Sequence, residues 1–449
     1  MLGFADYLLR LIDRKRRTIA LSFFLFGSPI VYFIRDFLGV FKGSQGFTTL
    51  VLGVCLIFLL PHTLPKKVYV PNFSAYFFNL SFLGLAIIYL FAYAPNRGWF
   101  TNTSNEIKYF SFILFTYAIL LTISTDSIKD KFVDWTLLFC TFGALMIIYV
   151  VIKDPNFALG MRASVKFQDP KGGDGGEIGN PHVFAKVAMV GVSSLLALWK
   201  FDRVFISRLV MIGLFFVFLI VMALTMSMVY TLSLVMILGI FFLFNFNPNI
   251  IKSITKWIFG WQGFSLFVVL VGVAIYVVNY TLFVERAALA IDIIFGRFDR
   301  ILNTIVNNKK ELHYSTVDYS AAGRVEGIKK VFSQLVANYE SNDFPRLILG
   351  NGYQQLYVDS PIFQSYHDLG IVGFILYTSG LVWIVYCALL EIKKPTNPFL
   401  LLIAFYTLHQ LTSSFTGGMP YSYEWWAVMA FAGRFLIRYT PKKTVLATA

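Results

Sequence analysis

Apolar residues dominate the chain in runs of about 17–25, the length that carries a helix across the hydrocarbon core of a bilayer. Such runs lie near 19–40, 47–63, 73–93, 109–125, 135–152, 183–200, 205–223, 225–246, 258–284, 365–390, 399–415 and 424–438. They predict about twelve spans by the length criterion. A backbone in lipid must satisfy its own hydrogen bonds, so these runs predict helices. The ten-residue alternation of a membrane barrel is absent. Two polar stretches interrupt the pattern, at 153–182 and 285–366. The organisation is therefore 1–284 with nine helices and a first polar loop, 285–366 as a large polar loop, and 367–449 with three more helices and a tail.

Inside the large loop the apolar positions keep helical spacing. Ile291, Ile294, Phe295, Phe298, Ile301, Leu302 and Ile305 share one face, with Asp292, Asp299 and Arg300 opposite, which predicts a helix lying along the membrane surface. A second amphipathic helix is predicted over 321–339, with Val325, Ile328, Phe332, Leu335, Val336 and Tyr339 on one stripe and Ser320 as its cap.

Composition agrees with a membrane protein. Of 449 residues 57% are hydrophobic and only 14% charged, against about 25% charged in soluble domains. The net charge of +14 is not a nucleic-acid signal, because the basic residues sort to one side of the spans. Arg14 to Arg17, Lys66–Lys67, Lys129 with Lys131, Lys200 with Arg203, Lys252 with Lys256, Lys393–Lys394 and Lys442–Lys443 share that side. The positive-inside rule makes it the cytoplasm, with both termini there and the loops at 94–108, 153–182, 285–366 and 416–423 outside. No small-residue cleavage site follows the N-terminal basic cluster, so the first apolar run reads as an uncleaved helix. Cys55, Cys140 and Cys387 fall inside predicted helices and read as apolar packers without a disulfide.

The chemistry-bearing residues gather in the outward segments. Arg324 stands in the first turn of the second amphipathic helix, where a guanidinium and free backbone donors together suit a phosphate or pyrophosphate; a solvated arginine is the plainer reading. Arg162 lies in the first outward loop, upstream of a glycine-rich run and of Asn180–Pro181, which start the next helix. Lys186 follows near the outer end of that helix, where it either snorkels or meets a substrate. Arg297 lies on the surface helix, where headgroup attraction competes with a substrate role. Asp359 and His367 stand before the tenth span as candidate proton acceptors, or as a turn residue and an interfacial anchor. His409 and His62 read as packed and hydrogen-bonded. No His/Cys/carboxylate metal motif, Walker sequence or G-x-G-x-x-G occurs, so neither a metal site nor a nucleotide cofactor is expected.

These features together resemble the O-antigen polymerase and ligase superfamily. The resemblance covers the layout of the chain and several short motifs. Asp359–Ser360, nine residues, Gly370, two residues and Gly373 keep the spacing of a ligase motif whose first residue is His; here Asp replaces it, which disfavours the ligase. Arg162 with Gly179–Asn180–Pro181, Gly323–Arg324 and Gly350–Asn351–Gly352 resemble further elements, whereas Ser227–Met228 stands where many members have Ser-Arg.

The resemblance implies an all-α, GT-C-like polytopic membrane protein of the bacterial inner membrane with a periplasmic active site. It implies a metal-independent, cofactor-free glycosyltransferase that polymerises undecaprenyl-pyrophosphate-linked repeat units. Catalytic roles fall to Asp359, His367 and Arg324, and pyrophosphate or glycan contacts to Arg162, Arg324, Lys186, Asn180 and Arg297. The partners implied are lipid-linked donor and acceptor, membrane lipids, a chain-length regulator and a flippase, with no nucleic acid. Two other readings stand beside it: a ligase joining glycan to lipid A-core or protein, and a flippase or transporter. A transporter predicts polar residues along the helix interiors and an internal repeat, and this chain shows neither pattern.

Overall fold

The computed structural model describes residues 15–41, 45–61, 68–93, 103–154, 162–167, 178–179, 181–201, 205–245 and 319–437, with Gly260 and Gly296. The first surface helix expected at 291–305, the span expected at 258–284, and the candidates Asn180 and Arg297 lie outside the described residues.

The chain starts with a bent pair, α1 (Lys15–Phe26) and α2 (Ser28–Phe37), 69° apart. Then come α3 (Gln45–Leu59), α4 (Phe73–Ala92), α5 (Thr103–Leu120), the single turn α6 (Thr125–Ile128) and α7 (Phe132–Lys153). A two-residue bridge pairs β1 (Lys166–Phe167) antiparallel with β2 (Ile178–Gly179). After it run α8 (Pro181–Phe201), α9 (Phe205–Thr225) and α10 (Met228–Asn245), then α11 (Tyr319–Glu340), α12 (Phe344–Leu349), α13 (Pro361–Lys393), α14 (Pro398–Thr416) and α15 (Tyr423–Phe435).

Among the described residues six helices, α4, α7, α8, α10, α13 and α14, are long and apolar enough to cross a membrane, and the bent pair makes a seventh if it is one span. The protein is thus helical and membrane-embedded. α15 departs from the expected span at 424–438. Its 13 residues rise about 20 Å, short of the roughly 30 Å hydrocarbon core. The 205–246 stretch resolves into α9 and α10, which break at Met226 in a left-handed conformation with φ 47°.

α8 and α14 form the centre, with 78% and 72% of their apolar windows buried. α7, α9 and α10 pack around α8, and α13 packs against α14 and α4. Phe77 and Ile88 on α4, Leu145 on α7, Val235 on α10 and Val382 on α13 are exposed, as expected for faces turned to lipid. Cys55, Cys140 and Cys387 form no disulfide among the described residues, and the first two are buried.

Two glycines fix the first turns of α13. Gly370 interrupts that helix with φ 64°, and Gly350, at the end of α12, has φ 83°. Their backbones touch: a Cβ on either would collide with backbone atoms of the other's segment. Asn351 N–H donates to His367 O (2.9 Å) and Gly352 N–H to Asp368 O (3.0 Å), tying the crossing together.

The second amphipathic helix exists as α11, but its docked face differs from the expected stripe. Gly327 and Val331 are buried, while Phe332, Val336 and Tyr339 are exposed. The reason is steric: a Cβ on Gly327 would stand 3.2 Å from the Val358 backbone. The bare side of α11 is the one that can meet the 353–360 segment closely, and apolar periodicity alone does not report it. Ser320 lies one residue inside α11 rather than at its cap.

Candidate functional site

One end of the bundle collects the starts of α8, α10, α11 and α15, the end of α14, and the segments 357–359 and 417–422. They enclose a cavity of about 440 Å³ lined by Arg324, Asp359, Lys186, His182, Tyr230, Tyr357, Tyr406, His409, Glu424 and Trp425, among others. Three of the candidates from the sequence, Arg324, Asp359 and Lys186, therefore share one cavity.

Arg324 Nε donates to Asp359 Oδ2 at 2.7 Å, with both side chains about three-quarters buried. Its two terminal amino groups make no hydrogen bond to the described residues, so the fork of the guanidinium is left to the cavity. Asp359 is held on its other oxygen as well: Oδ1 accepts from Tyr357 O–H (2.9 Å) and Gly418 N–H (2.8 Å). Desolvation and the neighbouring Asp359 charge push the Tyr357 phenol up, so it stays protonated and donates. Asp359 itself has φ 52°, a conformation uncommon for a non-glycine residue and concentrated at functional sites. Three donors thus hold this one carboxylate. The geometry makes Asp359 the group that orients Arg324.

Lys186 is buried, one turn into α8, with Nζ 3.4 Å from Glu424 Oε2 and 5.9 Å from the Tyr406 ring centroid. Lys186 does not snorkel to water. It lines the cavity beside Glu424 and Tyr406.

Two histidines complete the wall. His182 Nδ1 pairs with Ser227 Oγ (2.9 Å), and His409 Nδ1 with Ser233 Oγ (2.8 Å). His409 also stacks on Tyr230 at 4.6 Å between centroids. It is packed and hydrogen-bonded as expected, yet it lines the cavity. With Nδ1 engaged in both rings, Nε2 is the nitrogen available to a ligand, the tautomer following from what Nδ1 does.

His367 is elsewhere. It is buried at the start of α13, bonded through Nδ1 to Asp368 Oδ1 (2.8 Å), and its Nε2 lies 3.4 Å from Gln334 Oε1. It borders a second, more open depression on the other side of the 355–359 segment. Arg162 does not line the cavity; the neighbouring Ala163 N–H bonds to Leu224 O (2.8 Å), which puts this stretch at the α9–α10 corner. Among the described residues there is no group of three or more His, Cys, Asp or Glu able to hold a metal ion.

Sequence reasoning missed His182, Tyr230, Tyr406, Glu424 and Trp425. A shared signal existed for four of them: His182, Tyr230, Glu424 and Trp425 stand within a turn or two of the predicted outer end of a helix, as Lys186 does, whereas Tyr406 lies mid-helix. No protein-family model and no curated protein matches this chain.

Proposed function

We propose that this chain is a glycosyltransferase that polymerises undecaprenyl-pyrophosphate-linked repeat units on the periplasmic face of a bacterial inner membrane, with about twelve spans and cytoplasmic termini. The observation that carries the reading is that the unpaired fork of Arg324 and the buried Lys186 face one cavity at one end of a membrane-embedded bundle. Two cations held by carboxylates in a partly desolvated site suit a dianionic leaving group. Pyrophosphate leaves readily, so the enzyme's main task is to neutralise the charge that develops on it. Arginine does this through two parallel hydrogen bonds. Holding two lipid-anchored substrates side by side supplies much of the remaining acceleration.

In this scheme Asp359 positions Arg324, and His182 Nε2 takes the proton of the attacking sugar hydroxyl. An imidazole that faces the same cavity, with Nδ1 held by Ser227 Oγ, is placed for that task. The bond broken is between the anomeric carbon of the donor glycan and the pyrophosphate oxygen. The bond formed joins that carbon to the acceptor hydroxyl, and undecaprenyl pyrophosphate departs.

The test is extension of lipid-linked repeats by purified protein in nanodiscs. Products longer than one repeat are expected from the native chain and not from Arg324→Ala or Lys186→Met. In a deletion strain, one repeat attached to core is the polymerase result, whereas no attached glycan identifies a ligase. Repeats that cross the bilayer with no new bond identify a transporter.

A further inference from the structure

The second depression is unlike the first. It has a volume of about 970 Å³ and lies between α11, α12 and the start of α13. Four carboxamides line it, Gln334, Asn338, Asn351 and Gln355, with the Tyr93 ring and the His367 imidazole; Lys330 and Arg346 also border it, each paired with a carboxylate, Glu326 and Asp343. Small-molecule pockets are mostly apolar; this one has planar groups that offer a donor and an acceptor side by side.

The amides are held in place. Asn351 Nδ2 donates to His367 O (3.0 Å), Gln355 Nε2 to Tyr353 O (3.1 Å), and Gln334 stands between Asn351 Oδ1 (3.5 Å) and His367 Nε2 (3.4 Å). Behind them is a buried framework. Asp368 accepts from Gln354 N–H (3.1 Å) and Tyr421 O–H (3.1 Å), and Tyr353 donates to Glu106 (2.8 Å). Asn338 is 8% exposed, and its carboxamide makes no hydrogen bond to the described residues. Its amide atoms keep access to the depression, where they can meet a ligand.

We propose that this depression binds a carbohydrate chain. A neutral polyol offers rows of paired donors and acceptors that fit carboxamides, and the apolar face of a sugar ring fits a tyrosine. The position agrees. Gln355 and Leu356 border the depression while Tyr357 and Asp359 border the cation cavity, so one short segment divides the two. A glycan whose pyrophosphate lies against Arg324 has a saccharide-binding surface next to it. The inference deepens the proposed function and rests on it for the origin of the sugar.

The experiment uses the full chain in nanodiscs and two kinds of probe: undecaprenyl pyrophosphate without sugar, and lipid-free saccharide. The saccharide comes from the native host, as the single repeat released by mild acid from lipid and as the polymer released from the cell surface. Asn338→Ala and Gln355→Ala are each expected to weaken saccharide binding roughly tenfold and to leave undecaprenyl pyrophosphate binding at the native level. Arg324→Ala is expected to do the reverse. Affinity that rises with the number of repeats identifies the growing chain as occupant; equal affinity for repeat and polymer identifies the acceptor. No saccharide binding by the native chain, or native saccharide binding in both amide variants, overturns the proposal. If undecaprenyl pyrophosphate fails to bind while saccharide binds through these amides, the saccharide site stands and the proposed reaction falls.

Discussion

Arg324 and Asp359 meet through Nε and Oδ2 at 2.7 Å, 35 residues apart in the chain. The contact uses the inner edge of the guanidinium and spares the fork. If Asp359 serves mainly to aim that fork, the two residues act as one unit. Arg324→Ala should lower turnover of lipid-linked repeats by about 30- to 1,000-fold, the cost of about 2–4 kcal/mol of transition-state stabilisation. Arg324→Lys should fail almost as badly, because an ammonium cannot reproduce the fork. Adding Asp359→Ala to Arg324→Ala should bring little further loss. Single-turnover rates of the single and double variants check this; multiplying losses would make Asp359 an independent catalytic group.

Lys186 and Glu424 are unequal partners, with side-chain exposures of 8% and 62%. Lys186→Met keeps the volume and removes the charge. It should weaken undecaprenyl pyrophosphate binding by about 10- to 150-fold, the range for losing a hydrogen bond to a charged group. Glu424→Gln should change affinity far less, because an exposed carboxylate retains much of its hydration. Equilibrium binding of the labelled lipid to both variants measures the difference, and equal losses would refute the asymmetry.

The Gly350–Gly370 crossing carries a stability prediction. Alanine at either position must accept a positive φ, at a cost of about 1–3 kcal/mol, and must also push two backbones apart. Both variants should unfold at a lower temperature than the native chain. Gly323→Ala is the control: it sits in α11 with nothing within 4 Å of a new Cβ, and removing a helical glycine gains roughly 0.5–1 kcal/mol. Thermal unfolding in one detergent ranks the three, and a Gly370→Ala protein as stable as the native chain would contradict the crossing.

Topology can be read with a single cysteine. Ser341 is exposed just after α11, and the sorting of basic residues puts it outside the cytoplasm. Ser341→Cys should react with an impermeant thiol reagent in intact cells whose outer membrane has been permeabilised. Labelling only after the inner membrane is broken would reverse the orientation.

The helices and the presence of α11 were legible because apolar length and period report directly on burial and span. That Arg324, Asp359 and Lys186 each stand near a helix end was legible too, but not that they share one cavity while Arg162 and His367 stay out of it. Nor was the rest of the cavity. Lys186 and Glu424 are 238 residues apart, and only tertiary packing brings α8 beside α15. Tyr230, Tyr406 and His409 sit in apolar runs where an aromatic residue is the ordinary filling. The docked face of α11 was misread because a glycine, which has no hydropathy signal, decides it.

α11 has one further consequence. Arg324 stands near its start and Asn338 near its end, so a single rigid rod borders both depressions. Fourteen helical residues fix about 21 Å between them. The helix is therefore a ruler. Under the proposed reaction it sets how far from the leaving group a bound chain is gripped, and inserting or deleting one residue between the two would swing the grip by about 100° around the rod while leaving each end's chemistry intact.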